Sequence, residues 1–225
     1  MIRPVAVASA IVLASLIVSA KAETITFGGG QPGAHPKDFT SALTGSGAVG
    51  RWEVVDDGSA DGGKALAQLD ADKTDHRFPL AICATSFPRD LEISIRFKAV
   101  SGSVDRAGGI AFRLQDPQNY YLVRANALED KVRLYRVRNG QRQELTGARV
   151  RVPTGEWQTL AVRAQGNHLA VSLNGKALFD ARDETFTTAG KVALWTKADS
   201  VTRFDRIEIT PLPDRSLPLP GRPKS

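Results

Sequence analysis

The chain has one cysteine, one methionine and three histidines among 225 residues. A single cysteine excludes a disulfide within the chain, and with so few histidines there is no Cys/His cluster of zinc-ligand spacing. Cys83 lies in the apolar stretch Leu80-Ala81-Ile82-Cys83-Ala84, where it is expected to be buried as a small hydrophobe. His35, His76 and His168 lie apart from it, so no activated thiol is expected. Sustained helical periodicity is absent beyond the amino terminus, as is any second long apolar run. A dense basic stripe is also missing. The net charge of +6 draws on Arg3, Lys21, Arg215, Arg222 and Lys224 near the ends. The most basic segment, Lys131–Arg138, puts its cations on both faces of a strand, so nucleic acid is not an expected partner.

What is present begins with an export signal. Arg3 gives a positive start, Val5 to Ala20 are apolar or small, and Ala20-Lys21-Ala22 offers small residues at the positions a signal peptidase reads. Cleavage is expected after Ala22, giving a periplasmic or secreted protein. The run is shorter than the roughly 20 apolar residues of a bilayer-spanning helix, so no membrane span is expected to remain. Residues 23–50, rich in Gly, Ser, Thr and Pro, suggest an extended lead-in with one strand near Thr24–Phe27. Residues 51–210 form the expected domain. The tail 211–225 holds five prolines and is expected to be disordered, because proline cannot donate to a sheet ladder.

Within the domain, hydrophobicity repeats every second residue. Leu91, Ile93, Ile95 and Phe97 alternate with Glu92, Ser94, Arg96 and Lys98, as a half-buried strand requires. Ile110, Phe112 and Leu114 repeat the pattern, as do Leu169, Val171 and Leu173. Tyr120–Asn126, Val132–Val137, Gln158–Ala164, Val192–Thr196 and Phe204–Thr210 are further strands. Asn139-Gly140 and Asn174-Gly175 predict type I′ hairpin turns, whose twist matches that of the flanking strands. Many short strands with no helix between them mean an all-β sandwich or barrel.

The order of these segments resembles a known group. Trp52-Glu53-Val54 and Asp57-Gly58 are followed by Gly108-Gly109-Ile110-Ala111-Phe112-Arg113 and Asn119-Tyr120-Tyr121. Gly155-Glu156-Trp157-Gln158, Leu173-Asn174-Gly175-Lys176, Gly190–Thr196 and Phe204-Asp205 complete the series. Over about residues 50–210 it resembles concanavalin A-like lectin/glucanase domains, above all the laminin G-like branch and the exported bacterial 3-keto-disaccharide hydrolase-type domain. The resemblance implies an all-β, two-sheet antiparallel β-sandwich, a concanavalin A-like jelly roll with one concave sheet, with sugars across that sheet or its rim loops, and admits a glycoside hydrolase or lyase.

The paired carboxylates of retaining glucanases, spaced i, i+2, i+4 on one strand face, are absent. Asp90 and Glu92 have the first spacing, but Ser94 and Arg96 follow. No catalytic residue is assigned. Alternation does gather a ligand-type set: if Ile110, Phe112, Tyr121, Val123 and Leu194 point inward, then Arg113, Arg124, Asn126, Tyr135, Trp195 and Lys197 share the outer face, with Arg133 beside them. A flat ring covers the apolar side of a pyranose, while Arg, Asn and Lys bond its hydroxyls or acidic groups. Acidic glycans such as uronic-acid polymers therefore fit. Asp57-Gly58-Ser59-Ala60-Asp61-Gly62 spaces oxygens as a calcium loop does, but Gln68 stands at the twelfth position where glutamate is needed. It reads as a turn; no cofactor is expected, and calcium is the one ion left open. Trp157 reads as a structural anchor, and Asp205 as a residue that holds a loop. Three functions fit: an exported carbohydrate-binding protein, a glycoside-cleaving enzyme of the 3-keto-disaccharide hydrolase type, and a structural or adhesion module that binds protein. The Trp/Arg/Asn mixture favours the first.

Overall fold

The structure, a computed structural model, describes residues 21–213. Most of the expected signal peptide, residues 1–20, and most of the proline-rich tail, 214–225, lie outside the described residues. One sheet contains β1 (Glu23–Thr26), β3 (Trp52–Asp56), β4 (Lys64–Gln68), β6 (Leu91–Ser101), β11 (Gln158–Gln165), β12 (His168–Leu173), β13 (Lys176–Arg182) and β15 (Val201–Pro211). The other contains β2 (Phe39–Gly45), β5 (Arg77–Phe87), β7 (Ala107–Asp116), β8 (Asn119–Asn126), β9 (Lys131–Arg138), β10 (Gln141–Arg149) and β14 (Gly190–Trp195). Its order is β10-β9-β8-β7-β14-β5-β2, and every pairing in both sheets is antiparallel. Among the described residues the one helical element is a single 3-10 turn at Asp61–Gly63. No described helix is long and apolar enough to cross a membrane.

The lead-in is more than an extension. β1 pairs with β15, and β2 closes the edge of the second sheet against β5. Sandwich structure therefore begins well before residue 51. The two Asn-Gly turns form as their chemistry requires: φ is 49° and 73° at Asn139-Gly140, and 50° and 75° at Asn174-Gly175.

The main core lies between the sheets, where Ile93, Ile95 and Phe97 meet Ile110, Phe112, Tyr121, Val123 and Leu194. Cys83 is buried there as expected, and burial pushes its thiol up to about 12. A second apolar cluster covers the opposite face of the seven-stranded sheet: Phe78, Leu80, Ile82, Ala111, Leu114, Tyr120, Leu122, Tyr135, Val137 and Trp195. An antiparallel sheet ordinarily faces water on one side. Here both sides are apolar, so several of its strands are continuously buried rather than alternating.

Candidate functional site

The outer face of the seven-stranded sheet is the candidate site. The sheet curls strongly: the Arg142 guanidinium, on edge strand β10, stands 4.8 Å from the ring of Phe78, on β5 next to the opposite edge. Its floor is apolar. Phe78 stacks on Trp195 with ring centroids 5.6 Å apart, and Tyr120 hydrogen-bonds to Thr44 at 2.8 Å.

Polar groups converge on this floor from strands β8, β9 and β10 and from the loops that carry Asp75, Asp105, Glu129 and Lys197. Alternation on β8 turns Tyr121, Val123 and Ala125 into the core and Arg124 and Asn126 outward. Tyr135 comes from β9, and Lys197 follows the end of β14. Arg124 bonds Glu129 at 2.9 Å and lies 3.7 Å from Asp105. Lys197 reaches Asp105 at 3.1 Å and Asp75 at 2.8 Å. Asn126 Nδ2 donates to both carboxylates, at 2.8 Å to Asp105 and 3.1 Å to Glu129. The Tyr135 ring is flanked by two guanidinium groups, Arg142 at 4.7 Å and Arg124 at 5.9 Å.

The two carboxyls differ in character. Burial pushes Asp105 above its ordinary value, against the pull of Arg124 and Lys197. Glu129 also feels burial, but Arg124 and Lys131 outweigh it and hold its carboxyl below the usual range. Asp105 is thus the harder of the pair to ionise. It is held in place from behind. Asp199 accepts hydrogen bonds from the backbone N–H groups of Ser103 (2.7 Å), Val104 (3.0 Å) and Asp105 (3.0 Å). Burial raises the Asp199 carboxyl, yet these donors and the Ser103 hydroxyl prevail and set it at about 2.

Some donors remain over. Among the described residues, Arg124 Nε and Arg142 Nη1 are buried without a hydrogen-bond acceptor, and no carboxylate pairs with Arg142. Each such donor costs its desolvation; Arg106 Nε, Arg203 Nε and the Trp52 and Trp195 indole nitrogens are buried without an acceptor as well.

Of the six residues expected to share this face, Arg124, Asn126, Tyr135, Trp195 and Lys197 do so. Trp195 is fully buried, so it is floor beneath Phe78 rather than a platform open to a sugar. Arg113 is placed elsewhere. A bulge interrupts β7 between Phe112 and Asp116, and Arg113 takes φ 46°. The extra residue reverses the alternation, so Leu114 joins the outer cluster and Arg113 turns inward. Its guanidinium donates to the carbonyls of Arg89 (2.9 Å), Phe186 (3.0 Å) and Gly166 (2.8 Å). It is a structural strut at one end of the sandwich. Sequence reasoning missed Arg142, Asp105, Glu129 and Asp75.

The calcium-like segment lies away from this face. The Asp57 carboxylate is bonded by Arg203 at 2.8 Å and by the Ser59 hydroxyl at 2.6 Å, and Arg206 bonds Asp61 at 2.8 Å. Among the described residues no three His, Cys, Asp or Glu side chains gather as a metal site. Asp205 holds this loop by accepting from the Asp61 N–H at 2.9 Å. Trp157 is half-buried, donates to Ser59 at 3.0 Å and lies 4.7 Å from each of Arg96 and Lys98.

Two antiparallel sheets in this order define a concanavalin A-like β-sandwich. Residues 34–210 match the model of the 3-keto-alpha-glucoside-1,2-lyase-like domain, and the chain belongs to that family. A search of curated proteins found no match. Among solved structures, the carbohydrate-binding module CBM66 from Bacillus subtilis is similar with a TM-score of 0.60 and 20% identity, covering 76% of this chain and 94% of that one. Domain 4 of AbnA, an extracellular arabinanase from Geobacillus stearothermophilus solved with arabinotriose, gives a TM-score of 0.58 at 16% identity, covering 86% and 93%. The Bacillus licheniformis β-glucanase gives 0.56 at 12% identity, covering 85% and 98%. At these identities the likeness is one of fold.

Proposed function

We propose that this protein is exported and binds carbohydrate on the outer face of its seven-stranded sheet. The observation that carries the reading is the convergence of Arg124, Asn126, Glu129, Lys197 and Arg142 around the Tyr135 ring, over an apolar floor of Phe78 and Trp195. Sugar hydroxyls and ring oxygens supply acceptors for such donors, and the carboxylates of Glu129 and Asp75 accept sugar O–H groups in return. The family match and the carbohydrate-binding fold neighbours support this reading, and residues 1–22 support export. Arg142, which makes no ion pair among the described residues, extends the ligand class to acidic glycans.

A second reading, glycoside cleavage, has its own observation. Asp105 and Glu129 share one Asn126 amide and have acidities pushed in opposite directions. Divergent carboxyls are how one site supplies both a proton donor and a proton acceptor. The family name points the same way.

A thermal-shift screen of residues 23–225 against neutral, uronic-acid and 3-keto oligosaccharides tests the first reading. A ligand at a hundred times its Kd adds about 2.7 kcal/mol, a rise of roughly 5–10 °C for a domain of this size. No rise with any sugar contradicts carbohydrate binding. Chromatography of each stabilising sugar after incubation separates the readings: intact sugar means a binder, and products lost in Asp105→Asn and Glu129→Gln mean an enzyme.

A further inference from the structure

Arg142 is unusual among the cations of this face. Arg124 and Lys197 spend their charge on Glu129, Asp105 and Asp75, and Arg133 pairs with Glu144. Arg142 has no such partner among the described residues. Instead its guanidinium is held over two rings, 4.8 Å from Phe78 and 4.7 Å from Tyr135. Burial pulls its pKa below the ordinary value, the mark of a charge stripped of water without full compensation. It borders a cavity of about 240 Å³, whose other lining residues are Gly45, His76, Phe78, Gly140 and Gln141. That lining contains no carboxylate. The cavity is smaller than the roughly 300–1,000 Å³ of a whole small-molecule site, which suits one end group of a longer ligand.

Asp105 and Asp75 act on the Arg142 guanidinium only through space; with no ion pair of its own and no acid lining the cavity beside it, it can take an anion. Two rings hold the guanidinium in place, and such a planar group matches a planar carboxylate through two parallel N–H···O bonds. Resting on the carbohydrate-binding reading, we infer that the Arg142 cavity takes the carboxylate of a uronic-acid residue, making Arg142 the residue that selects acidic over neutral glycans.

The test is calorimetric titration of wild-type protein with a uronic-acid oligosaccharide and with the same oligosaccharide after its carboxyls are reduced to alcohols. The expected result is at least tenfold tighter binding of the acid form. That ratio should collapse towards one in both Arg142→Gln and Arg142→Lys, since lysine keeps the charge but loses the fork. A sulfated neutral oligosaccharide should not match the uronate. Equal wild-type affinity for acid and reduced forms, or a ratio that survives both substitutions, overturns the inference while leaving carbohydrate binding intact. Binding of neither form by wild type overturns the underlying reading as well. The Arg142 Nε–H NMR signal gives a check independent of mutation. It should move with the acid oligosaccharide and stay still with the reduced one; the reverse contradicts the assignment.

Discussion

Phe78 lies nearly parallel to Trp195, with the ring planes inclined by 17°. The pair is the floor beneath the polar groups. Trp195 is fully buried and Phe78 nearly so, so their contribution is packing. Trp195→Ala should cost about 3–5 kcal/mol, the range for deleting a buried aromatic, as read by urea denaturation. Loss of less than about 1 kcal/mol would show that Trp195 is not the floor described.

Arg113 makes the opposite point about a charged residue. Three backbone carbonyls depend on its guanidinium. Arg113→Ala should destabilise by about 3 kcal/mol, because buried acceptors lose charged donors. Glycan affinity per folded molecule should stay at the wild-type value. A stable Arg113→Ala protein with weakened binding would return this residue to the ligand face.

Asp199 gives the fold a pH dependence of defined sign. Its carboxyl is set at about 2 in the folded state against an ordinary 3.8. A depressed folded value stabilises above the unfolded pKa, and the contribution disappears as pH falls through the folded one. The difference is worth about 2 kcal/mol. Stability measured from pH 5 down to pH 2 should therefore fall less steeply in Asp199→Asn than in wild type, from a starting point about 2 kcal/mol lower. Parallel curves would refute this role.

Cys83 should be chemically silent. With its thiol pushed up to about 12, only about one molecule in ten thousand carries thiolate at pH 8, and the side chain is buried. Iodoacetamide should label it only after unfolding. Rapid labelling of native protein would mean an accessible, activated thiol.

How legible all this was in the sequence follows from which strands face water. β6 and β12 show clean alternation because one of their faces is solvated, and the Asn-Gly turns announced their hairpins through local chemistry alone. β5 carried no such signal. It is buried from Arg77 to Cys83, with Pro79 inside it, because the second apolar cluster covers its outer side. β2 was hidden among the glycines and serines of the lead-in. For the site, alternation placed Arg124, Asn126 and Tyr135 on one face. It failed at Arg113 because a bulge is an extra residue that period-two counting does not see. Arg142 sits in the polar run Gln141-Arg142-Gln143-Glu144, which reads as a solvated edge. Yet the two-residue turn fixes its register: Arg142 pairs with Val137 and so lies on the Tyr135 face. Asp105 and Glu129 come from loops, where spacing along the chain says nothing about convergence in space.

Glycan is expected to lie on the outer face of the seven-stranded sheet. Chemical-shift mapping of ¹⁵N-labelled protein, titrated with uronic-acid oligosaccharide to millimolar concentration, tests it most directly. Shifts are expected to concentrate at Phe78, Arg124, Asn126, Tyr135, Arg142 and Lys197, with Trp157 and the Asp57–Asp61 loop unmoved. Shifts centred instead on Trp157, or none at saturating sugar, would contradict it.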